Sequence, residues 1–284
     1  MANIIDGKAI SAQIREEIAE EVKIFTKEHG IRPGLTVIIV GEDPASKVYV
    51  RNKKLACEQV GFNGEVIELP ETTTEKELMD IIGKLNRDNS VHGILVQLPL
   101  PKHINEEAVL LGINPDKDVD AFHPFNVGKI MTGNFDLAPC TPAGVMELIA
   151  RSGIDISGKE CVIVGRSNIV GKPQAMLMLK ANGTVTICHS RTKDLGEVCR
   201  RADILVAAIG KPNFFGADMV KEGAVVIDVG INRDENGKLC GDVNFKEVEP
   251  KASFITPVPG GVGPMTITML LKNTLTAAKT AISK

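Results

Sequence analysis

Residues 158–181 read GKECVIVGRSNIVGKPQAMLMLKA. The apolar run Cys161 to Val164 enters Gly165, and a helical pattern follows within a few residues. A buried strand that passes through a glycine turn into a helix opens a βαβ unit, and such a turn can receive a diphosphate on the helix N-terminus. The turn here is Gly165-x-Ser167-x-x-Val170-Gly171, so a serine stands where G-x-G-x-x-G has its second glycine. Gly165 still permits the tight turn, and Gly171 permits close helix–strand packing. Pro173 suits a first helical turn, where a missing N–H is no loss. Taken alone, the motif also describes a glycine turn that merely packs. Its place inside a βαβ pattern is what points to a dinucleotide.

The next strand pattern, residues 184–189 (TVTICH), runs into His189-Ser190-Arg191-Thr192. An NAD site carries Asp or Glu at this point to hold the ribose 2′-hydroxyl, whereas an NADP site uses cationic or polar groups. No acid lies in this turn. Arg191 and, within the glycine turn, Arg166 are candidate clamps for a 2′-phosphate, because a planar guanidinium matches phosphate geometry. The bland alternative leaves both arginines as solvated loop residues. The charge pattern favours NADP.

Downstream, strands are predicted at 204–209, 225–230 and 253–256, with helices between them and a last helix over 264–281. Upstream, the pattern predicts a helix over 7–29, a strand over 35–41, a helix over 45–60 ended by Gly61, and a strand over 65–69. The cap signal TTTEKEL then opens a helix over 73–87, and a strand over 93–98 is stopped by Pro99 and Pro101. Apolar strands alternating with helices imply parallel sheets covered on both faces. Residues 114–142 break the rhythm with Asp, Gly, Pro and Asn, as a functional loop or linker does. A connecting helix follows to about Ser152. The expected fold is α/β with two domains, an N-terminal α/β catalytic domain and a Rossmann-type NADP-binding domain, with a cleft between them.

Composition narrows the function classes. A chain of 284 residues that is 43% hydrophobic and 24% charged has the balance of a soluble globular protein. No apolar run reaches the roughly 18 residues of a membrane helix. The N-terminus lacks a signal peptide's basic start and apolar core, so a cytoplasmic protein is expected. A net charge of −3 creates no field that favours nucleic acid. The six cysteines show no C-x-x-C spacing and read as structural. His103-x-x-Glu106 lacks the partners of a zinc motif, and Asp116, Asp118 and Asp120 lack the glycine and distal Glu of a calcium loop. No metal is expected.

The first half holds the catalytic candidates. Ser46, Tyr49 and Lys53 fall at i, i+3 and i+7 on one face of a helix that follows a strand end, where open α/β sheets bind ligands. A desolvated lysine can act as a base. By spacing alone, the face reads equally as solvated surface. Gln97 emerges at the end of its strand, where it could orient Lys53 or polarise a substrate carbon–nitrogen centre. Asp120, among apolar neighbours, suits a hydrogen-bond acceptor for a nitrogen-rich heterocycle. The stretch Pro257 to Pro264 (PVPGGVGP) makes a backbone-rich loop before the last helix that can approach a ligand closely.

Eight stretches, VGEDPASKVYVRNKKLACEQVGF, GILVQLPLP, DKDVDAFHPFNVGK, PCTPAGVMELI, GRSNIVGKP, VIDVGIN, GDV and ITPVPGGVGPMT, together resemble the bifunctional methylenetetrahydrofolate dehydrogenase/methenyltetrahydrofolate cyclohydrolase family along essentially the whole chain. The resemblance implies that Lys53 is the central catalytic lysine, helped by Gln97. It implies that Tyr49 packs along the folate rings and that Asp120 binds the pterin edge. Leu98 and Pro259, Gly260, Gly261 and Val262 would border the folate. Gly165, Arg166, Ser167, Ser190, Arg191 and Ile231 would line the NADP site. Implied too are tetrahydrofolate substrates in one-carbon metabolism, a folate bound in the cleft, and a homodimer formed through the cofactor domain. The last helix would return to the first domain, giving a division into 1–140 plus 271–284 and 141–270. Ala121 departs from the family's usual glycine, and its methyl group bears on the pterin end or the backbone angle there. The competing readings are a family member with one activity, an NADP-dependent dehydrogenase of another small substrate, and a cofactor-binding sensor without turnover.

Overall fold

Two residues, too few to show any period, form the first strand, β1 (Asn3–Ile4). The computed structural model of the chain describes residues 1–283. After β1 come α1 (Gly7–His29), β2 (Gly34–Val40), α2 (Pro44–Val60), β3 (Asn63–Leu69), α3 (Glu75–Arg87) and β4 (Gly93–Val96). Next are α4 (Glu106–Gly112), α5 (Pro124–Thr132), α6 (Cys140–Arg151), β5 (Glu160–Val164), α7 (Gly171–Lys180) and β6 (Thr184–Cys188). The chain continues through α8 (Leu195–Arg200), β7 (Ile204–Ala207), β8 (Val225–Asp228), β9 (Asn232–Arg233) and β10 (Leu239–Cys240). It closes with α9 (Phe245–Val248), β11 (Phe254–Ile255) and α10 (Val262–Ile282).

The chain forms two compact units, one of Met1–Ala12 with Pro139–Thr266, the other of Gln13–Ala138 with the residues from Ile267 onward. The expected division placed the first dozen residues with the N-terminal domain. They lie in the other unit because β1 pairs with β11, Asn3 opposite Phe254 and Ile4 opposite Ile255.

The unit of residues 13–138 is built on a parallel three-stranded sheet of order β3-β2-β4. Every residue of the central β2 is buried, as a strand covered on both faces requires. Edge strand β3 is only partly buried. The expected cap of α3 forms: Glu77 N donates to Thr74 Oγ1 at 3.2 Å, and Thr74 N donates to Glu77 Oε2 at 2.8 Å. Leu78, Ile82 and Leu85 of α3 then pack with Ile38 and Ile94 of the sheet. The irregular stretch expected over 114–142 contains a helix, α5. His123 Nδ1 accepts from Phe125 N at 3.1 Å, Pro124 occupies the first turn, and Gly133 closes the helix in the left-handed region with φ 76°.

The other unit carries a six-stranded, wholly parallel sheet of order β1-β11-β8-β7-β5-β6. Strand order reverses at β5, which lies between β6 and β7. In such sheets the reversal marks the ligand crevice at the C-terminal strand ends. A β9–β10 hairpin, absent from the sequence expectation, follows β8. No helix among the described residues is long and apolar enough to cross a membrane.

Candidate functional site

In the unit of the three-stranded sheet, β2 delivers α2 at its C-terminal end. Asp43 Oδ2 accepts from Ser46 N at 2.7 Å to cap the helix, and Gly61 ends it with φ 82°. The buried stripe of α2 runs Ser46, Val50, Lys53, Cys57 and Val60. Lys53 therefore occupies a core-facing position and is 8% exposed, while Tyr49 at the rim is 44% exposed. A lysine in this stripe has given up most of its water, so its partners matter. Its Nζ donates to Gln97 Oε1 at 2.9 Å. The Gln97 amide is oriented by its own Nε2, which donates to Leu98 O at 2.8 Å. Gln97 N donates to Ile38 O at 2.8 Å, which anchors the residue beyond β4. The arrangement holds an amine nitrogen at the end of a parallel sheet, where it can pass a proton.

The loop carrying Asp120 is tied down around it. Ile94 N donates to Lys117 O at 2.8 Å. Asp118, 2% exposed, accepts on Oδ2 from His123 N at 2.8 Å and Asn126 Nδ2 at 2.9 Å. Burial raises its carboxyl above the usual range against those donors. Asn126 Nδ2 also reaches Pro115 O at 2.9 Å, and Asn273 of α10 donates from Nδ2 to Val119 O and Ala138 O, both at 2.8 Å. Asp120 is half-buried. Ala121 adopts φ 56° and is fully buried, so the backbone keeps a conformation that a glycine takes freely while the methyl packs inward. His103 Nε2 meets Thr73 O at 2.8 Å, and Glu106 Oε1 accepts from Leu100 N at 3.3 Å. Both side chains therefore hold loops. Among the described residues no group of three or more His, Cys, Asp or Glu is arranged around a metal position.

In the six-stranded unit, the turns after β5 and β6 leave side by side, because Val164 pairs with Cys188. Gly165 has φ 141°, and a Cβ there would overlap Ala208 O, so no other residue fits. The serine in the second glycine position caps α7: Ser167 Oγ accepts from Val170 N at 3.1 Å and Gly171 N at 3.3 Å, and Ser167 O accepts from Lys172 N at 3.1 Å. The N–H groups of Val170, Gly171 and Lys172 at the start of α7 are thus taken up by Ser167. Ser167 accepts those donors and keeps its own O–H for an outside acceptor. Arg166 is exposed. In the neighbouring turn Arg191 N donates to His189 Nδ1 at 3.1 Å and His189 N to Thr192 Oγ1 at 2.9 Å, leaving the Ser190 and Arg191 side chains exposed. No carboxylate belongs to this turn.

The loop Pro257–Pro264 is also carried by this unit. Gly260 O accepts from Lys8 N at 3.1 Å, Pro259 is exposed, Gly260 is half-buried, and Gly261 and Val262 are buried. Ile231 is 54% exposed, with its Cδ1 3.7 Å from where a Cβ on Gly263 would stand. The expected site residues thus fall into two groups, with Lys53, Gln97, Leu98, Tyr49 and Asp120 in one unit. Gly165, Arg166, Ser167, Ser190, Arg191, Ile231 and Pro259 to Val262 are in the other.

Sequence reasoning missed the polar residues that hold these loops, among them Asn126, Asn273 and Asp228. The available signal was an acid closing the apolar strand VVID. Asp228, 3% exposed, accepts from Gly230 N, Asp242 N and Val243 N, each at 2.9 Å. Burial lifts its carboxyl to about 7, Asp242 adds to the lift, and the three N–H groups oppose it. A folded-state value above the unfolded carboxylate value of about 3.9 gives stability that is full at low pH and lost as pH rises towards 7. Denaturant midpoints of the wild type, relative to Asp228→Asn, should therefore fall between pH 4 and 8. Parallel midpoint curves would show that Asp228 is ionised throughout. All six cysteines are free, and burial pushes Cys57 and Cys199 up to about 12, as inert core thiols require.

Comparison with known proteins places two family models on the chain. The tetrahydrofolate dehydrogenase/cyclohydrolase catalytic domain matches residues 5–120, and the NAD(P)-binding domain of the same family matches residues 139–282. A bifunctional protein FolD from Acetivibrio thermocellus is 64% identical over 98% of this chain and 97% of its own. The crystal structure of the bifunctional FolD methylenetetrahydrofolate dehydrogenase/cyclohydrolase of Campylobacter jejuni superposes with TM-score 0.96 at 52% identity, covering 99% of both chains. A Trypanosoma brucei FolD, solved with NADP cofactor and inhibitor, gives TM-score 0.94 at 42% identity over 100% of this chain and 99% of that one.

Proposed function

The chain belongs to the tetrahydrofolate dehydrogenase/cyclohydrolase family, and from that membership we propose that it oxidises 5,10-methylenetetrahydrofolate with NADP and hydrolyses the 5,10-methenyl product to 10-formyltetrahydrofolate. The observation that carries this reading is the buried Lys53 with its Nζ fixed on Gln97 Oε1. NADP, when bound, supplies the hydride acceptor. The residues present suit it: a Cβ-free approach at Gly165, an O–H donor on Ser167, and a carboxylate-free turn with Ser190 and Arg191 beside exposed Arg166. The two arginines and Ser190 would hold the 2′-phosphate, and Ile231 would line the site.

For the hydrolytic step, water adds to the electrophilic methenyl carbon and loses a proton, and a ring C–N bond then opens as its nitrogen gains one. Lys53 Nζ would manage those transfers, and Gln97 would hold it in line. Asp120 would accept hydrogen bonds from the pterin edge, Tyr49 would pack along the folate rings, and Leu98 would border them. Oxidation asks mainly for placement of the one-carbon bridge against the nicotinamide. The family resemblance further implies a homodimer. Free edge strand β6, with Ile187 37% exposed, is compatible with an association through this unit.

A two-wavelength assay with methylenetetrahydrofolate and either NADP or NAD tests the whole reading. Reduced nicotinamide with NADP and not NAD, with little methenyl accumulation, is expected. Methenyl decay no faster than in buffer would remove the hydrolytic half, and no reduction with either dinucleotide would remove the dehydrogenase half.

A further inference from the structure

Asp228 and Asp242 are 3% and 0% exposed, and neither has a part in the roles assigned above. The β9–β10 hairpin turns the chain so that Gly241-Asp242-Val243 returns onto Asp228-Val229-Gly230. The two stretches interlock. Asp242 N and Val243 N donate to the Asp228 carboxylate. A Cβ on Gly241 would overlap that carboxylate, and a Cβ on Gly230 would overlap the carboxylate of Asp242.

Asp242 gathers four donors of its own. Its Oδ2 accepts from Ile209 N at 2.6 Å and Gly210 N at 3.1 Å. Its Oδ1 accepts from Lys211 N and Asn232 Nδ2, both at 2.8 Å. Three successive backbone N–H groups aimed at one point form an anion nest, and here a side chain of the same chain fills it. The segment needs such an anchor, because Gly210 and Asn213 both lie in the left-handed region, at φ 66° and 51°. Asn232 extends the hold to the segment after β8, next to Ile231.

Both segments leave the C-terminal ends of β7 and β8, on the side of β5 opposite to β6. In a doubly wound sheet the dinucleotide crosses the reversal point. With the 2′-phosphate turn after β6, the other half of the cofactor falls over β7 and β8. The Gly165 turn already packs on Ala208, one residue before Ile209.

We propose that Asp242 is a positioning residue for the nicotinamide half of the dinucleotide site, holding the backbone of residues 209–211 and, through Asn232, that of Ile231. The proposal rests on the dinucleotide reading above and has no part in hydrolysis. Asp242→Asn turns one acceptor oxygen into a donor that faces backbone N–H groups. Asn232→Ala removes one donor and leaves the nest filled, so it is the milder test of the same hold. The measurements are the NADP dissociation constant by calorimetry, methenyltetrahydrofolate hydrolysis without dinucleotide, and thermal melting. Asp242→Asn should weaken NADP binding about ten-fold or more and Asn232→Ala by about three-fold, the scale of one charged hydrogen bond lost or loosened. Hydrolysis should stay within about two-fold of wild type, since Lys53 and Gln97, which carry its proton transfers, lie in the other unit. NADP affinity unchanged in Asn232→Ala, or affinity and hydrolysis falling together in a folded variant, would overturn the proposal. A wild type that fails to bind NADP would instead overturn the dinucleotide reading beneath it.

Discussion

Lys53→Met should reduce methenyltetrahydrofolate hydrolysis by about a hundred-fold or more, the usual contribution of a positioned acid–base group. Methionine matches the lysine stem in length and suits the buried stripe of α2, so the fold should hold. The change removes the proton-carrying nitrogen that Gln97 Oε1 fixes at 2.9 Å. It also removes a buried polar head, leaving Gln97 Oε1 without that donor. NADP binding belongs to the other unit and should persist. Oxidation should fall less than hydrolysis, because its main requirement is placement. Parallel measurement of both rates and of NADP affinity decides the matter, and undiminished hydrolysis in a folded Lys53→Met protein would end the role assigned to this lysine.

The second large effect is on stability. Asn273→Leu should lower the unfolding free energy by about 2–5 kcal/mol, since each buried group deprived of a partner costs about 1–3 kcal/mol. Asn273 is 7% exposed, and its Nδ2 serves Val119 O and Ala138 O at 2.8 Å each. These two carbonyls bracket the segment that contains Asp120 and α5. Leucine fills the space and offers no donor to either. The same variant should raise KM for the folate, because the Asp120 loop loses its tie to α10. Urea denaturation with and without the substitution gives the first quantity and steady-state kinetics the second. A loss below about 0.5 kcal/mol, the range of an ordinary surface change, would show that both carbonyls find other partners.

Local chemistry was readable where a single stretch holds both the signal and its partner. Thr74 and Glu77 announce their capping box three residues apart, and Gly165 announces its turn by following an apolar strand. Lys53 and Gln97 were legible as strand-end and helix-face positions, although their contact joins residues 44 apart. Helix α5 carried its own signals, Pro124 at the start and Gly133 at the end. The surrounding Asp, Asn and Gly outweighed them, because those residues serve caps and turns alike. The role of Ser167 was not legible. A hydroxyl in a glycine position reads as a departure until the α7 N–H groups are seen pointing at it. Asp242 was less legible still, since its donors come from residues 209–211 and 232 and meet only after a hairpin reverses the chain.

The pairing of β1 with β11 has a consequence for synthesis on the ribosome. Asn3 emerges early, and Asn3 Nδ2 reaches a backbone oxygen 250 positions away, at Ser253. The other unit is no better served, since it closes with the residues from Ile267 onward. Neither unit can be completed before Thr266 has been made, so the two finish close together along the chain. Contacts between such distant partners slow folding, because loop closure must precede the bonds that reward it. Until Phe254 and Ile255 have been made, Asn3 and Ile4 have no strand to pair with.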